Sequence, residues 1–328
     1  MNRREILYIY DASYCNPNGD PADENKPRTD PEAQINLVSD VRLKRTIRDF
    51  LYEIKGKKIF VQAIADAEGG LPDGKARANQ FLDPEPADKE TYGQIKTRLD
   101  KKIISECIDV RLFGCTIPLE FTVVDGKKKT KKTGSIIHTG PVQFKMGKSL
   151  HKVSVERIKG TGAFASKEGA TQNTFRTEYM VPYSLISFHG IVNEYRGAEV
   201  ELTENDLNLL FEAMWDGTKY LVTRSKIGQT PRFLLIVEYK EGNFQISDLD
   251  NKVKIQSELP DLSLRSIDDY VLSLDRLIDS LVKHKSKLSK LSFTVDEHFR
   301  TSFKDQIFTG EEVEKLLSQV GVPVENME

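Results

Sequence analysis

The order of its hydrophobic segments predicts an α+β fold for this chain, built on a βαββαβ sheet of the ferredoxin-like type. Two patterns support this prediction. Short apolar or alternating segments of strand length recur along the chain, and two amphipathic helices stand between them in the order that the fold requires. The predicted strands are Glu5–Tyr10, Ile59–Ile64, Phe121–Val124, Ser135–Phe144, Lys152–Ile158, Tyr179–Val192 and Phe233–Tyr239.

The first predicted helix begins at about Ser39, whose hydroxyl can accept a hydrogen bond from a free N–H of the first turn. Apolar residues recur along it every three or four positions and share one face: they are Leu43, Ile47, Phe50, Leu51 and Ile54. The second helix follows Thr203 and has its own stripe of Leu207, Leu210, Phe211, Met214 and Trp215. Such stripes are typical of helices packed on a sheet, so we assign them to the core and expect no cofactor there.

An insertion interrupts the pattern after the second strand. Residues 66–104 are rich in glycine and proline, and a short helix is predicted near Thr91–Cys107. The sequence DGKKKTKKTG, which begins at Asp125, predicts a hairpin with a lysine-rich tip. We therefore expect this part of the chain to project from a compact core.

The later part of the chain contains a loop and an extension. The segment Lys159–Phe175 has three glycines and little periodicity, which predicts a long mobile loop. Amphipathic patterns at Ser266–Val282 and Gly310–Val320 predict helices. We expect residues 1–240 to form the main domain, and 241–328 to form a C-terminal helical extension on it or on a neighbouring subunit.

Composition places the chain among globular proteins. It has 328 residues, of which 38% are hydrophobic and 30% charged. No apolar run approaches the roughly 18 residues of a membrane span, and the start MNRREILYIYD lacks a signal peptide's apolar stretch, so we expect a cytoplasmic protein without a membrane partner. Its cysteines, Cys15, Cys107 and Cys115, have no CxxC spacing, and its histidines show no HExxH motif. No metal or cofactor is predicted.

Charge is unevenly distributed although the formal net charge is only -2. Residues 125–160 contain ten basic and two acidic residues, whereas residues 296–328 contain eight acidic and three basic residues. A basic middle segment can bind phosphates, and an acidic end can contact a neighbour's basic surface. The alternative is a solvated hairpin and a solvated tail.

The stretch Asn16–Arg48 joins a polar turn to a basic helix. In the turn NPNGDP, Asn18 and Gly19 can adopt left-handed conformations that direct backbone N–H groups at an anion. The helix then places four cations within seven residues: Arg42, Lys44, Arg45 and Arg48. This pattern favours a grip for a phosphate backbone, although an exposed loop and a solvated helix face remain open as alternatives.

Three motifs in this order carry a resemblance to a known family. They are NPNGDP followed by KPRTD, the helix sequence LKRTIR at Leu43–Arg48, and TGPVQFKMGKSLHKV at Thr139–Val153. With them the chain resembles the crRNA-binding backbone subunits of type I CRISPR Cascade complexes, in the DevR-like group of types I-B and I-C. The similarity spans roughly residues 1–240.

The resemblance implies a hand-shaped protein that binds RNA and is not an enzyme. Its RRM-like palm would carry finger insertions at about 66–135 and a thumb loop at about 159–176. Many copies would line one crRNA in a helical filament, with other Cascade subunits, and present the guide for pairing with target DNA. The implied RNA-binding residues are Asn18, Arg28, Ser39, Arg42, Lys44, Arg45, Arg48, Gln143, Lys145, Ser149, Phe164, Phe175 and Arg176.

The role of the thumb aromatics has two interpretations. Phe164 or Phe175 can part adjacent bases, because stacking on a base contributes on the order of 1 to 3 kcal/mol whatever the sequence. A phenylalanine in a loop can equally anchor that loop to its own core. Both interpretations stay open from the sequence.

Two rival functions also remain open. Asp11, Asp20, Asp23 and Asp30 could hold Mg²⁺ and cut target RNA, as a loop aspartate does in related type III complexes. The same residues are expected in turns for conformational reasons alone. A protein-assembly module with no RNA role is the second rival. The RNA-binding interpretation expects Lys44 and Arg48 to be available for phosphates and not held in intramolecular ion pairs.

Overall fold

The computed structural model describes residues 1–62, 73–82, 90–125, 128–165 and 173–327. The chain divides into two compact units. The first unit contains Met1, Ile47–Gln143 and Val192–Ala213, and the second contains Asn2–Thr46, Phe144–Ile191 and Met214–Glu328. No helix within the described ranges has the length and hydropathy that a membrane crossing needs.

Both units mix helices and strands. Among the described residues the helices are α1 (Asp40–Glu53), α2 (Gly74–Asn79), α3 (Tyr92–Glu106), α4 (Ile108–Phe113), α5 (Glu194–Glu199), α6 (Glu204–Lys219), α7 (Asp275–Lys283) and α8 (Val313–Ser318). The strands are β1 (Arg4–Cys15), β2 (Gly19–Asp20), β3 (Lys26–Pro27), β4 (Thr29–Asp30), β5 (Ile35–Val38), β6 (Gly114–Asp125), β7 (Lys128–Thr139), β8 (Val142–Phe144), β9 (Gly147–Ser149), β10 (Glu156–Ala165), β11 (Asn173–Val192), β12 (Gln229–Tyr239), β13 (Lys254–Gln256), β14 (Val271–Ser273), β15 (Leu288–Val295), β16 (Arg300–Phe303), β17 (Gln306–Thr309) and β18 (Val324–Asn326).

A large sheet organises the second unit. Its strand order is β18-β15-β12-β1-β11-β9-β5-β4, and β8 and β10 also pair with β11. β1 is almost wholly buried, and it runs antiparallel to β12 with Leu7 opposite Leu235. β12 is in turn antiparallel to β15, with Leu235 opposite Phe293. Strands buried on both faces read as continuous apolar runs, which is why Glu5–Tyr10 and Phe233–Tyr239 were predictable from the sequence.

The first unit is built on the predicted hairpin and a helix. β6 and β7 pair from Gly114 opposite Thr139 to Asp125 opposite Lys128. α3 begins with a capping box in which Thr91 and Gln94 exchange hydrogen bonds, so the predicted helix near Thr91–Cys107 is confirmed. Its inward residues Ile95, Leu99 and Ile103 share a core with Ile117 and Ile136 of the hairpin.

The second predicted strand, Ile59–Ile64, is wrong over residues 59–62, and its last two residues lie outside the described ranges. The backbone there bonds to side chains and not to another strand. The N–H groups of Phe60 and Val61 donate to the carboxylate of Asp109 at 2.7 and 3.0 Å. The carbonyls of Ile59 and Phe60 accept from Arg77 at 2.6 and 3.1 Å. An apolar segment of strand length can thus satisfy its backbone without a sheet.

The predicted loop Lys159–Phe175 is largely replaced by paired strands. β10 and β11 are antiparallel, with Glu156 opposite Met180 and Thr161 opposite Phe175. Backbone pairing does not require apolar side chains, so the glycine-rich sequence concealed these strands. Residues 166–172, in the middle of the predicted thumb, lie outside the described residues.

The predicted helical extension is correct only for two short helices, α7 and α8. Six strands also lie within residues 241–327, and four of them form a sheet of order β13-β14-β16-β17. β15 and β18 also extend the large sheet. The segment Leu288–Val295 lies between β12 and β18 in the large sheet, and its last five residues are all buried.

Candidate nucleic-acid interface

The NPNGDP loop is fastened to the start of α1. The side-chain oxygen of Asn18 accepts hydrogen bonds from the backbone N–H and the hydroxyl of Ser39, at 2.8 and 2.9 Å. The Ser39 hydroxyl accepts in turn from the N–H of Arg42 at 3.2 Å, so the predicted helix cap is confirmed. Asn18 and Ser39, both expected at an RNA surface, therefore hold the loop and the helix in one arrangement.

The expected left-handed conformation at Asn18 and Gly19 is wrong. Positive φ angles occur instead at Glu24 and Asn25, with values of 48° and 57°. Gly19 pairs with Pro27 in the β2–β3 ribbon, and any side chain on it would collide with Asn25. The glycine is needed for a close approach of two chain segments and not for a backbone nest.

Arg28, the last predicted contact from this loop, forms an ion pair with Asp20. Its two terminal nitrogens lie 3.1 Å from the two oxygens of that carboxylate. Its backbone N–H donates to the carbonyl of Asn18 at 3.0 Å. Arg28 therefore stabilises the loop while remaining partly exposed.

The four cations of α1 differ in exposure. Lys44 is buried and lies 3.1 Å from Asp40, one turn earlier. Arg48 lies 3.0 Å from Asp109, which is fully buried, and packs over the ring of Phe113. Arg42 is half-buried and Arg45 is exposed. The four side chains that were predicted to bind phosphates thus range from buried to exposed.

The expected availability of Lys44 and Arg48 is contradicted by these ion pairs. Both residues flank the apolar stripe of α1, so their side chains enter surroundings where a charge needs a partner. Any contact of theirs with RNA remains a prediction, and it would require phosphate to replace or join a carboxylate. Arg45, on the opposite side of α1 from the apolar stripe, is exposed.

The GPVQF segment distributes its predicted residues between surface and core. Gln143 is exposed and donates to the carbonyl of Gly140 at 3.0 Å. Lys145 is paired with Asp248 and with Asp250, the latter at 3.2 Å. Ser149 is buried, where its hydroxyl donates to the carbonyl of His151 and accepts from the N–H of Asn36. The Ser149 hydroxyl therefore holds two backbone segments together in the interior.

An exposed row of cations was missed in this region. β9 alternates buried, exposed, buried, and its outward residue is Lys148. Three further exposed cations follow along the chain, and none of the four makes an ion pair with a carboxylate in the described part of the chain: the set is Lys148, Lys152, Arg157 and Lys159. We call these four residues the basic row. Strand alternation around Gly147–Ser149 was the signal that could have identified Lys148.

The predicted thumb residues can be placed only by backbone. Gly160 is opposite Arg176 and Thr161 is opposite Phe175 in the β10–β11 pair, and Phe164 belongs to β10. The side chains of Phe164, Phe175 and Arg176 lie outside what the structure describes. The choice between base wedge and core anchor therefore stays a prediction.

The loop acids do not form a metal site. Asp11 is buried, accepts a hydrogen bond from Tyr183 at 3.0 Å and lies 2.8 Å from Arg232; burial raises the pKa of its carboxyl, although Arg232 opposes that shift. Asp23 pairs with Lys26, and Asp30 accepts from the backbone of its own turn. No group of ligating side chains that could hold a metal ion occurs among residues with described positions.

The chain is similar to known proteins in sequence and in fold. The family described as CRISPR-associated protein Cas7 matches residues 2–275. A protein of that name from Haloferax volcanii is 30% identical over 347 aligned positions, covering 100% of this chain and 97% of the relative. A solved chain from a CRISPR RNA-guided surveillance complex in a pre-nicking state shares the fold with a TM-score of 0.52 at 13% identity, covering 97% of this chain and 100% of that one.

The family match extends beyond the 240 residues over which the motifs suggested a resemblance, into the strands of the C-terminal part. The resemblance is confirmed at the level of the family. This chain belongs to the CRISPR-associated Cas7 family.

Proposed function

We propose that this chain is a crRNA-binding backbone subunit of a type I CRISPR interference complex. Several copies would bind one guide RNA together with other Cascade subunits, and would present the guide for pairing with target DNA. The observation that carries the proposal is the basic row, Lys148, Lys152, Arg157 and Lys159, on a Cas7 family chain. Exposed cations without a carboxylate partner in the described structure are suited to phosphates, which are present in any guide sequence.

The sheet order supports an RRM-like palm. A ferredoxin-like sheet places its first strand in the centre, and here β1 lies between β12 and β11, with β9 beyond β11. We assign the finger to the insertion at about 66–135, which includes the β6–β7 hairpin, and the thumb to about 159–176. These assignments extend the proposal and rest on the order of elements.

The binding mechanism would be repetition of sequence-blind contacts. Arg45 and the basic row would bind phosphates directly, whereas Asn18, Ser39 and Arg28 would keep the adjoining loop in place. Bases would remain free for Watson–Crick pairing, to which the reading of sequence is delegated. The subunit itself would supply no catalytic group.

A paired substitution tests the proposal. Lys148→Ala with Arg157→Ala removes two exposed charges, and we expect the slope of log affinity for single-stranded RNA against log salt to become shallower by about 0.7 per lost contact. The matched control is Lys285→Ala with Lys287→Ala, which removes two charges from an exposed turn of the C-terminal part. Equal RNA affinity and equal slope in both double variants would refute the role of the basic row.

Two further outcomes separate the rivals. Purification from the host should yield small RNA of uniform length with the protein, and its absence would favour a plain assembly module. Incubating the assembled complex with complementary RNA and Mg²⁺ should leave that RNA intact. Regularly spaced fragments would overturn the passive role, although the pairing of Asp11 with Arg232 already disfavours that carboxylate as a metal ligand.

A further inference from the structure

Lys226 is a half-buried cation that makes no ion pair within the described structure. Its ammonium group donates to the carbonyls of Asn16 and Pro17, at 2.6 and 3.3 Å. An ammonium group has three N–H donors, and these two carbonyls accept from two of them. Within the described structure, one N–H donor of this ammonium group is therefore left beside the NPNGDP loop.

The electrostatic surroundings of Lys226 are positive. Burial and the neighbouring charge of Arg42 lower the pKa of Lys226 to about 8, with a small opposing contribution from Cys15. Holding a cation in partly buried surroundings beside another cation costs free energy. If the residue served only to hold the loop through hydrogen bonds, a neutral donor could do so without this cost in free energy.

Tyr14 supplies a second, independent observation at the same place. Its side chain is 60% exposed, and its backbone has a φ of 47°, in the left-handed region that non-glycine residues rarely adopt. The backbone on both sides of it is bonded to the turn that carries Lys226. The N–H of Ser13 donates to the carbonyl of Gly228 at 2.8 Å, and the N–H of Asn16 donates to that of Ser225 at 2.9 Å.

An exposed aromatic ring held in an unfavourable backbone conformation is typical of a binding site. A flat ring can stack on any nucleobase, and a neighbouring ammonium group can bind the phosphate of the same chain. Neither contact depends on base identity. The two features together fit one nucleotide of a single strand.

We propose that the turn at 225–228 forms a nucleotide subsite in which Lys226, assisted by Arg42, binds a phosphate group and Tyr14 stacks on an adjacent base. This inference rests on the proposed RNA-binding function and adds two residues that no family motif in the sequence indicated. Phosphate binding would stabilise the protonated form of Lys226, so binding would take up a proton at alkaline pH.

The test measures affinity for labelled single-stranded poly(U) and poly(A) RNA with the full chain. We expect wild-type affinity to fall about fivefold from pH 7 to pH 9, because the free lysine loses most of its proton over that range. Lys226→Arg keeps its charge and should show a flat profile. Lys226→Met should bind roughly tenfold more weakly at pH 7 and shift the salt slope by about 0.7.

Tyr14 is tested by a conservative pair. Tyr14→Ala should weaken binding to both RNAs about tenfold without changing the salt slope, whereas Tyr14→Phe should retain wild-type affinity. Lys240→Met is the matched control for Lys226→Met, since Lys240 also donates to a backbone carbonyl, that of Ser286 at 3.0 Å. The control should leave affinity, slope and pH profile unchanged.

The outcomes separate this inference from the proposed function. If Lys226→Met and Tyr14→Ala bind RNA like the wild type, the subsite is refuted and the proposed function stands. If Lys226→Met does not fold, a pH profile of Lys226→Arg that falls in parallel with the wild type refutes the subsite. If the wild-type protein binds neither RNA, the proposed function fails together with the subsite.

Discussion

At the scale of single residues, the partner of a charge decides what that charge can do. Arg48 and Arg45 are three positions apart in α1, where Arg48 flanks the apolar stripe of the helix and Arg45 lies on the opposite side. Arg48 lies against the fully buried Asp109, whereas Arg45 is exposed. A sequence shows that a helix is basic, but the carboxylate 61 residues away that takes up one of its charges is a product of the fold.

This pairing predicts a stability defect in Arg48→Ala. Removing the guanidinium leaves the buried Asp109 without its cation, and we expect a loss of about 3 kcal/mol in the free energy of unfolding. Arg45→Ala should change it by less than about 0.5 kcal/mol because that side chain is exposed. Urea unfolding of the two variants gives the comparison. Equal stabilities would show that Asp109 does not depend on Arg48.

A second residue-scale prediction concerns Glu5 in the buried face of β1. Burial alone would raise its pKa, but hydrogen bonds from His189, at 2.7 Å, and from Tyr239 hold the pKa below its usual 4.5. A lowered carboxyl pKa stabilises the fold at neutral pH, and that contribution is lost as pH falls below about 4.5.

Glu5→Gln should therefore lower the free energy of unfolding at pH 7 by about 2 kcal/mol and flatten its decline below pH 4.5. Glu5 also accepts from the N–H groups of Ile246 and Ser247, so the amide would satisfy fewer donors. Thermal unfolding between pH 3 and pH 7 provides the measurement. A variant whose pH dependence matches that of the wild type would contradict this role for Glu5.

At the scale of elements, apolar runs in the large sheet were predictable and paired polar strands were not. β1 and β12 could be predicted from their apolar sequences because both faces of each strand are buried. β10 contains glycine and charged residues, and only its partner β11 makes it a strand. The segment at 59–62 shows the reverse case, since Asp109 and Arg77 satisfy a backbone that the apolar sequence assigned to a sheet.

The C-terminal strands contribute to the core of the second unit. The core of the second unit joins Leu7 and Leu235 to residues such as Leu272, Leu291 and Phe308. β15 also covers the edge of β12 along seven residue pairs. The C-terminal part therefore shares one hydrophobic core with the large sheet.

A chain ended after residue 240 should therefore fail to fold. It would lose β15 and expose the apolar edge of β12, which favours aggregation. Soluble expression and circular dichroism of this truncation, beside a control that lacks only residue 328, measure the effect. A 1–240 fragment that is soluble and unfolds cooperatively would support the domain boundary predicted after residue 240.

At the scale of the whole molecule, the uneven distribution of charge was visible in the sequence. Which of the basic residues are paired with acids was not. The basic segment 125–160 includes Lys131, which pairs with Glu120, and Lys145, which pairs with Asp248. The four residues of the basic row are exposed and make no ion pair with a carboxylate in the described part of the chain. The pairing of a lysine with an acid from a distant segment depends on tertiary structure, so the site could be located by sequence only to within a segment.

The acidic C-terminal part leads to a prediction about assembly. A cleft of about 450 Å³ in the second unit is lined by Trp215 and Phe293 and carries Asp296, Glu297, Glu311 and Glu314 at its walls. If copies of the proposed backbone subunit associate along RNA, an acidic surface can meet a neighbour's basic residues.

Reversing two of these charges should impair association between copies while sparing RNA contacts. We expect Glu311→Lys with Glu314→Lys to lower the cooperativity of binding to a long RNA roughly tenfold, without changing affinity for an RNA that holds one copy, because the basic row is intact. The control, Glu241→Lys with Glu258→Lys, reverses two exposed acids outside the cleft. Mass photometry and anisotropy would measure the two quantities. Cooperative loading that survives the cleft reversal would place the contact between copies on another surface.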